Sequence, residues 1–103
     1  MDEAYRIIIS PQAAEDLDAI HDFVAQDSPA NADKMAERIL AAIATLSSFP
    51  YRTLVEHAPP QIKHPVRSLV VRPYVVFFRV LENDGIVRVL TIRHGARRKP
   101  RRF

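Results

Sequence analysis

The sequence predicts an α+β domain: a mainly antiparallel four-stranded sheet with a helix hairpin packed on one face. Three observations carry this expectation. Two apolar stripes at helical spacing lie between residues 11 and 46. One β-branched run precedes them, and three runs rich in β-branched and aromatic residues follow beyond residue 65. The resulting order is βααβββ, and 103 residues with 48% apolar and 26% charged content suit one domain, spanning 1–103, with a modest core.

Residues 4–9, AYRIII, read as the first strand. Ser10-Pro11 then marks a helix start, because serine accepts from otherwise orphaned amides and proline fits the first helical position. Ala13, Leu17, Ile20 and Val24 form the first stripe, which Phe23 widens; Asp16, Asp18 and Asp22 lie off it and read as a solvated acidic face. Ser28-Pro29 repeats the start signal, and Met35, Ile39, Ala42, Ile43 and Leu46 form the second stripe. So short a connection makes the helices antiparallel. Residues 50–65 carry Pro50, Pro59, Pro60 and Pro65 without sustained periodicity and read as a loop, where Arg52, Lys63 and His64 could serve a surface.

Residues 66–71 read as the second strand, 74–82 as the third and 86–93 as the fourth, with Pro73 interrupting pairing and Asn83-Asp84-Gly85 as a turn. A three-residue loop would pair Phe78 with Leu90 and Val76 with Ile92, giving with Val80 an apolar face toward the helices. A two-residue loop would instead set Arg79 opposite Leu90. The first register keeps Arg79 and Arg93 off the helix side, although it leaves Arg88 opposite Val80. The other face would then carry Val75, Phe77, Arg79, Val89, Thr91 and Arg93. That face is apolar in the middle and flanked by arginines; left uncovered it would await a partner, and the alternative is that the C-terminal tail folds back over it.

Charge is unevenly distributed. Residues 1–48 hold three basic and nine acidic residues, a balance of −6; residues 49–103 hold twelve basic and three acidic, a balance of +9. No acidic residue follows Asp84, and the last eleven residues, RHGARRKPRRF, hold six basic ones. Such a gradient suits either a solvated tail that keeps a small protein soluble or docking on something acidic, whether nucleic acid or a protein segment; basic residues inside the strands favour docking. Other chemistries find little support. No cysteine is present, which excludes disulfides and thiolate metal sites. His21, His57, His64 and His94 are not at paired metal-ligand spacing, so no metal or cofactor is expected. Gly85 and Gly95 alone cannot make a glycine-rich phosphate loop, and Ser10, Ser28 and Ser47 sit at helix ends. Tyr5, Tyr51 and Phe103 are the few candidates for stacking on bases. The acidic start MDEAYRIII does not read as a signal peptide and no apolar stretch has membrane-span length, so a cytoplasmic location without membrane contact is expected.

The run HPVRSLVVRPYVVFFRVLENDGIVRVLTIRHGAR resembles the C-terminal half of RelE/ParE-superfamily toxins of type II toxin–antitoxin systems. Arg67, the Tyr74 to Val80 strand and the ending His94 to Arg97 carry the likeness. The opening strand, the Ala-rich acidic helix and the Phe49-Pro50 step extend it over nearly the whole chain. This resemblance implies a toxin neutralised by a cognate antitoxin, ParD-like or similar, in a hetero-oligomer. It also implies one of two targets: DNA gyrase in the ParE-like branch, or mRNA on the ribosome in the RelE-like branch. RelE-like nucleases place an arginine directly after the tyrosine of the third strand and a tyrosine near the C-terminus. Val75 and Phe103 stand there, and neither supplies the cation or the hydroxyl. His94 and Arg97 are the catalytic candidates if the chain is a metal-independent endoribonuclease. The ParE-like, non-nuclease reading is favoured, with Arg67, Arg79, Arg93, His94, Arg97, Arg98, Arg101 and Arg102 as the antitoxin- or target-binding set.

Overall fold

A computed structural model of the chain describes residues 4–56 and 64–97. Its elements are β1 (Arg6–Ile9), α1 (Pro11–Ala25), α2 (Pro29–Thr45), β2 (Leu54–Val55), β3 (Arg67–Val71), β4 (Tyr74–Leu81) and β5 (Ile86–His94). Short 3-10 turns cover Pro50–Arg52, Glu82–Asp84 and Gly95–Arg97. The strand order is β1-β5-β4-β3-β2; β1 runs parallel to β5 and every other pair is antiparallel. The expected α+β architecture is therefore present, with five strands instead of four. The extra strand, β2, lies inside the segment read as a loop. Two residues cannot display a period, and β2 exists because Leu54 and Val55 pair with Ser68 and Arg67.

Both helices begin where local chemistry places them. The Ser10 side chain accepts from the Ala13 amide at 3.1 Å and the Ser28 side chain from the Asn31 amide at 3.2 Å. Each serine is followed by proline at the first helical position. The two helical stripes meet one face of the sheet. Ile20, Ile39, Ile43 and Leu46 pack there with Val76, Phe78, Val87, Val89 and Ile92. Phe23 departs from the stripe: it is 66% exposed.

The β4–β5 register is the main correction to the sequence reading. Val76 faces Ile92 as expected, but Phe78 faces Val89 and Arg79 faces Arg88. The ladder shifts between Phe77 and Phe78, so Leu90 is an extra residue without a cross-strand partner. This bulge sends Val89 into the helix-side core and Leu90 to the opposite face, where it packs on Val66, Val75 and Phe77. It also resolves the awkward position expected for Arg88, which lies opposite Arg79 and is exposed. The loop is longer than the three residues expected: the pair Leu81–Ile86 closes it, with Gly85 at φ 64°, a left-handed conformation that favours glycine.

The edge of β5 explains why the bulge is tolerated. β1 pairs only with residues 86–89, so β5 runs on beyond it. The start of α1 then takes over the exposed edge. Ser10 Oγ donates to the Leu90 carbonyl at 2.8 Å. Asp16 Oδ2 accepts from the Ile92 amide at 2.9 Å and from the Thr91 hydroxyl at 2.5 Å. Backbone groups that a neighbouring strand would have paired are thus satisfied by the side chains of Ser10, which caps α1, and of Asp16 within it. Asp16 is a tie between helix and sheet; only Asp18 and Asp22 of the acidic face are exposed.

Candidate functional site

The face of the sheet away from the helices carries the unpaired positive charge. Arg79 and Arg88 stand directly across from each other, and Arg93 lies across from Val75. Like charges in that relation repel. Among the described residues the sole ion pair is His21–Asp33, so none of the three arginines has a carboxylate partner. The Nε of Arg79 is buried and has no hydrogen-bond partner. Arg88 and Arg93 flank a cleft of about 390 Å³ that reaches the start of α1 at Ser10, Pro11 and Gln12.

The centre of this face is not open, contrary to the expectation of an uncovered apolar patch. Val66, Val75 and Phe77 are 3%, 5% and 0% exposed. Exposed apolar side chains lie instead toward the β2–β3 side, at Leu54 and Val70. The face therefore has a basic side along β5 and an apolar side along β2 and β3.

The remaining candidate residues are dispersed. Arg67 is on the helix side of the sheet, because it pairs with Phe78. There its Nη1 donates to the Thr53 carbonyl at 2.9 Å, and its guanidinium lies 4.8 Å from the Tyr51 ring centroid. It does not join Arg79 and Arg93. The His94 ring meets Tyr74 edge-on at 5.6 Å, and its Nδ1 accepts from the Ala96 amide at 3.1 Å. In the neutral ring Nε2 is then the donor. Gly95 follows because its amide donates to the Pro73 carbonyl at 2.6 Å; a Cβ there would sit 3.1 Å from that oxygen. Arg97 ends the last 3-10 turn. Arg98, Arg101, Arg102 and Phe103 lie outside the described residues, as do His57 and Lys63. The set missed by sequence reasoning is Arg88, Ser10 and Asp16, and each is explained by the bulge. Among the described residues, no helix is long and apolar enough to cross a membrane.

This combination of a two-helix hairpin, a sheet of order β1-β5-β4-β3-β2 and a basic β5 coincides with a known family. Residues 7–99 match the family model for the ParE toxin of the type II toxin–antitoxin system parDE. The chain belongs to the ParE toxin family. A curated relative named Toxin RelE2, from Caulobacter vibrioides, is 37% identical over 93 residues, covering 89% of this chain and 97% of the relative. A solved chain from the chromosomal ParDE toxin–antitoxin system of P. aeruginosa superposes with a TM-score of 0.70 at 25% identity, covering 90% of this chain and 98% of that one. A chain of the RelBE2 toxin–antitoxin complex from Mycobacterium tuberculosis shares the fold, with a TM-score of 0.62 at 19% identity over 90% and 97% of the two chains. The chain is thus a type II toxin of the RelE/ParE superfamily.

The toxin's two candidate stacking tyrosines are otherwise engaged. Tyr5 and Tyr51 both donate to Glu82 Oε1, at 2.6 and 2.5 Å, and their rings meet edge-on at 6.4 Å. This ties the start of β1 and the Pro50–Arg52 turn to the β4–β5 loop. The two hydroxyl donors hold the Glu82 carboxyl below the usual glutamate range. Desolvation and the bond to Glu82 push Tyr51 well above the usual tyrosine range, and the bond to Glu82 raises Tyr5. A depressed carboxyl pKa contributes stability that is present above the ordinary glutamate pKa and lost as pH falls through the folded value. A raised tyrosine pKa contributes stability that is present below the ordinary tyrosine pKa and lost as pH rises through the folded value. Tyr51→Phe should therefore lower the melting temperature near neutrality, with the gap to the parent closing in acid. Thermal melts from neutrality down through the carboxylate range test this; a gap that is constant with pH would remove Glu82 as its cause.

Proposed function

We propose that this toxin inhibits growth in the ParE-like manner, by docking on DNA gyrase, and that a cognate antitoxin carrying an acidic segment neutralises it. The observation that carries the reading is Val75. It occupies the position directly after Tyr74 where a RelE-like nuclease would place an arginine, and it is 5% exposed among Val66 and Phe77. A buried valine can neither move a proton nor stabilise a phosphate transition state. His94, the remaining acid–base candidate, has its Nδ1 taken by the Ala96 amide. Arg79, Arg88 and Arg93 lack carboxylates of their own and suit an acidic segment arriving from a partner. The P. aeruginosa neighbour comes from a ParDE system and the M. tuberculosis neighbour from a RelBE2 complex, which supports an antitoxin partner.

A second reading is mRNA cleavage on the ribosome, favoured by the name of the 37% identical relative, Toxin RelE2. Controlled expression followed in parallel by mRNA half-life and plasmid supercoiling separates the two. Loss of negative supercoiling with unchanged mRNA half-life is expected. Rapid mRNA decay with normal supercoiling would overturn the proposal. His94→Ala should leave growth arrest intact.

A further inference from the structure

Charges of opposite sign stand on opposite sides of the molecule. Along α1, Glu15, Asp18 and Asp22 follow at steps of three and four and form one exposed stripe. On the far face of the sheet stand Arg79, Arg88 and Arg93. None of the six makes an ion pair among the described residues. Each set instead holds like charges side by side: Asp18 and Asp22 are one helical turn apart, and Arg79 and Arg88 are directly across strands. The helices pack on the other face of the sheet, so one chain cannot bring the two sets together.

The two surfaces also match in shape and apolar content. Glu15 to Asp22 spans about 10 Å along the helix. Arg88 to Arg93 spans roughly 16 Å along the strand, a difference that arginine side chains bridge. Beside the acidic stripe, Ala19 is exposed and Phe23 is 66% exposed. Between Arg88 and Arg93 the cleft of about 390 Å³ is lined by Leu90 and Pro11, room for one aromatic ring.

We infer that the acidic stripe of α1 docks on the basic β5 face of a second copy of this chain, head to tail. Each copy offers its acidic side to one neighbour and its basic side to another, so copies stack without closing on a two-fold axis. Charge complementarity sets the orientation, because acid on acid and base on base both repel. The contact needs neither target nor antitoxin. On the function proposed above, a stacked toxin covers its own docking face, so the free protein masks itself as it accumulates.

Sedimentation velocity at about 0.02 M and about 0.3 M salt tests this, since the screening length falls from about 20 Å to about 6 Å. The parent should associate with rising concentration at the lower salt, and at least about tenfold more weakly at the higher. Asp18→Asn/Asp22→Asn keeps the basic face and Arg88→Met/Arg93→Met keeps the acidic one, so each alone should stay monomeric at low salt. Their equimolar mixture should form a one-to-one dimer that does not grow, because its outward faces are neutralised. With 15N in the Arg88→Met/Arg93→Met protein, amide shifts in the mixture should cluster at Glu15, Ala19 and Phe23. With 15N in the other protein they should cluster at Arg88, Leu90 and Arg93. All four substituted side chains are exposed, so both variants should fold, and their spectra report whether they do. A monomeric parent at low salt, association that salt leaves unchanged, a variant that stacks as the parent does, or a mixture that stays monomeric would each overturn the inference.

Discussion

Asp16→Ala should destabilise the toxin by about 2–3 kcal/mol, far more than the same change at Asp18 or Asp22. Asp16 Oδ2 accepts from the Ile92 amide and from Thr91, which is 5% exposed. Removing the carboxylate leaves two part-buried donors without an acceptor, and each such loss costs about 1–3 kcal/mol. In a domain of this size the melting temperature should fall by roughly 10–20 °C. Asp18 and Asp22 are exposed and appear in no hydrogen bond or ion pair among the described residues, so their alanine variants should lie within about 0.5 kcal/mol of the parent. Asp16→Asn is the informative intermediate, because its amide oxygen can still accept from Ile92 at reduced strength. Denaturant titration of the four variants decides the matter, and equal effects at Asp16 and Asp18 would refute the helix-to-sheet tie.

That tie also explains which parts of the fold were legible in the sequence. Both helices were, because their signals are local. Ser10-Pro11 and Ser28-Pro29 set the starts, and Ile20, Ile39, Ile43 and Leu46 repeat at the helical period. The strands of residues 66–93 were legible for the same reason, from β-branched and aromatic runs. The β4–β5 register was not. Alternation along IVRVLTIR is compatible with either face, and the backbone at and just after the bulge is bonded by Ser10 and Asp16, 80 and 76 residues away from the groups they bond. A pattern read along one strand holds no record of such a contact.

The candidate site inherits this limit. Arg79 and Arg93 lie on the expected face because alternation along β4 is unbroken and Arg93 pairs with Val75 in the unshifted part of the ladder, although Arg79 itself faces Arg88. Arg88 and Val89 were misassigned because they lie on the far side of the bulge. Arg67 was grouped with the other arginines by sign of charge, but its face is set by pairing with Phe78. Charge can be counted along a sequence, whereas the direction a charge faces depends on strand pairing.

Arg79→Met should make the isolated toxin more stable while weakening its hold on the antitoxin. Arg79 places a buried, unpartnered Nε opposite Arg88, with no carboxylate nearby among the described residues. Methionine keeps the length and apolar stem, removes the orphaned donor and ends the cross-strand repulsion. The combined relief is about 1–2 kcal/mol, which raises the melting temperature by roughly 5–10 °C. Most substitutions at half-buried positions destabilise, so the sign alone is diagnostic. On the reading proposed above, the arginines are retained in the isolated chain at a cost in stability because they meet an acidic segment. Arg79→Met and Arg88→Met should then slow antitoxin association and flatten its dependence on ionic strength, since fewer charges steer the encounter. Stopped-flow association at low and physiological salt, beside melts of the free variants, reads both halves. A less stable Arg79→Met toxin would show that the arginine pair is structural. An unchanged salt dependence in both variants would move the antitoxin's docking site away from this face of the sheet.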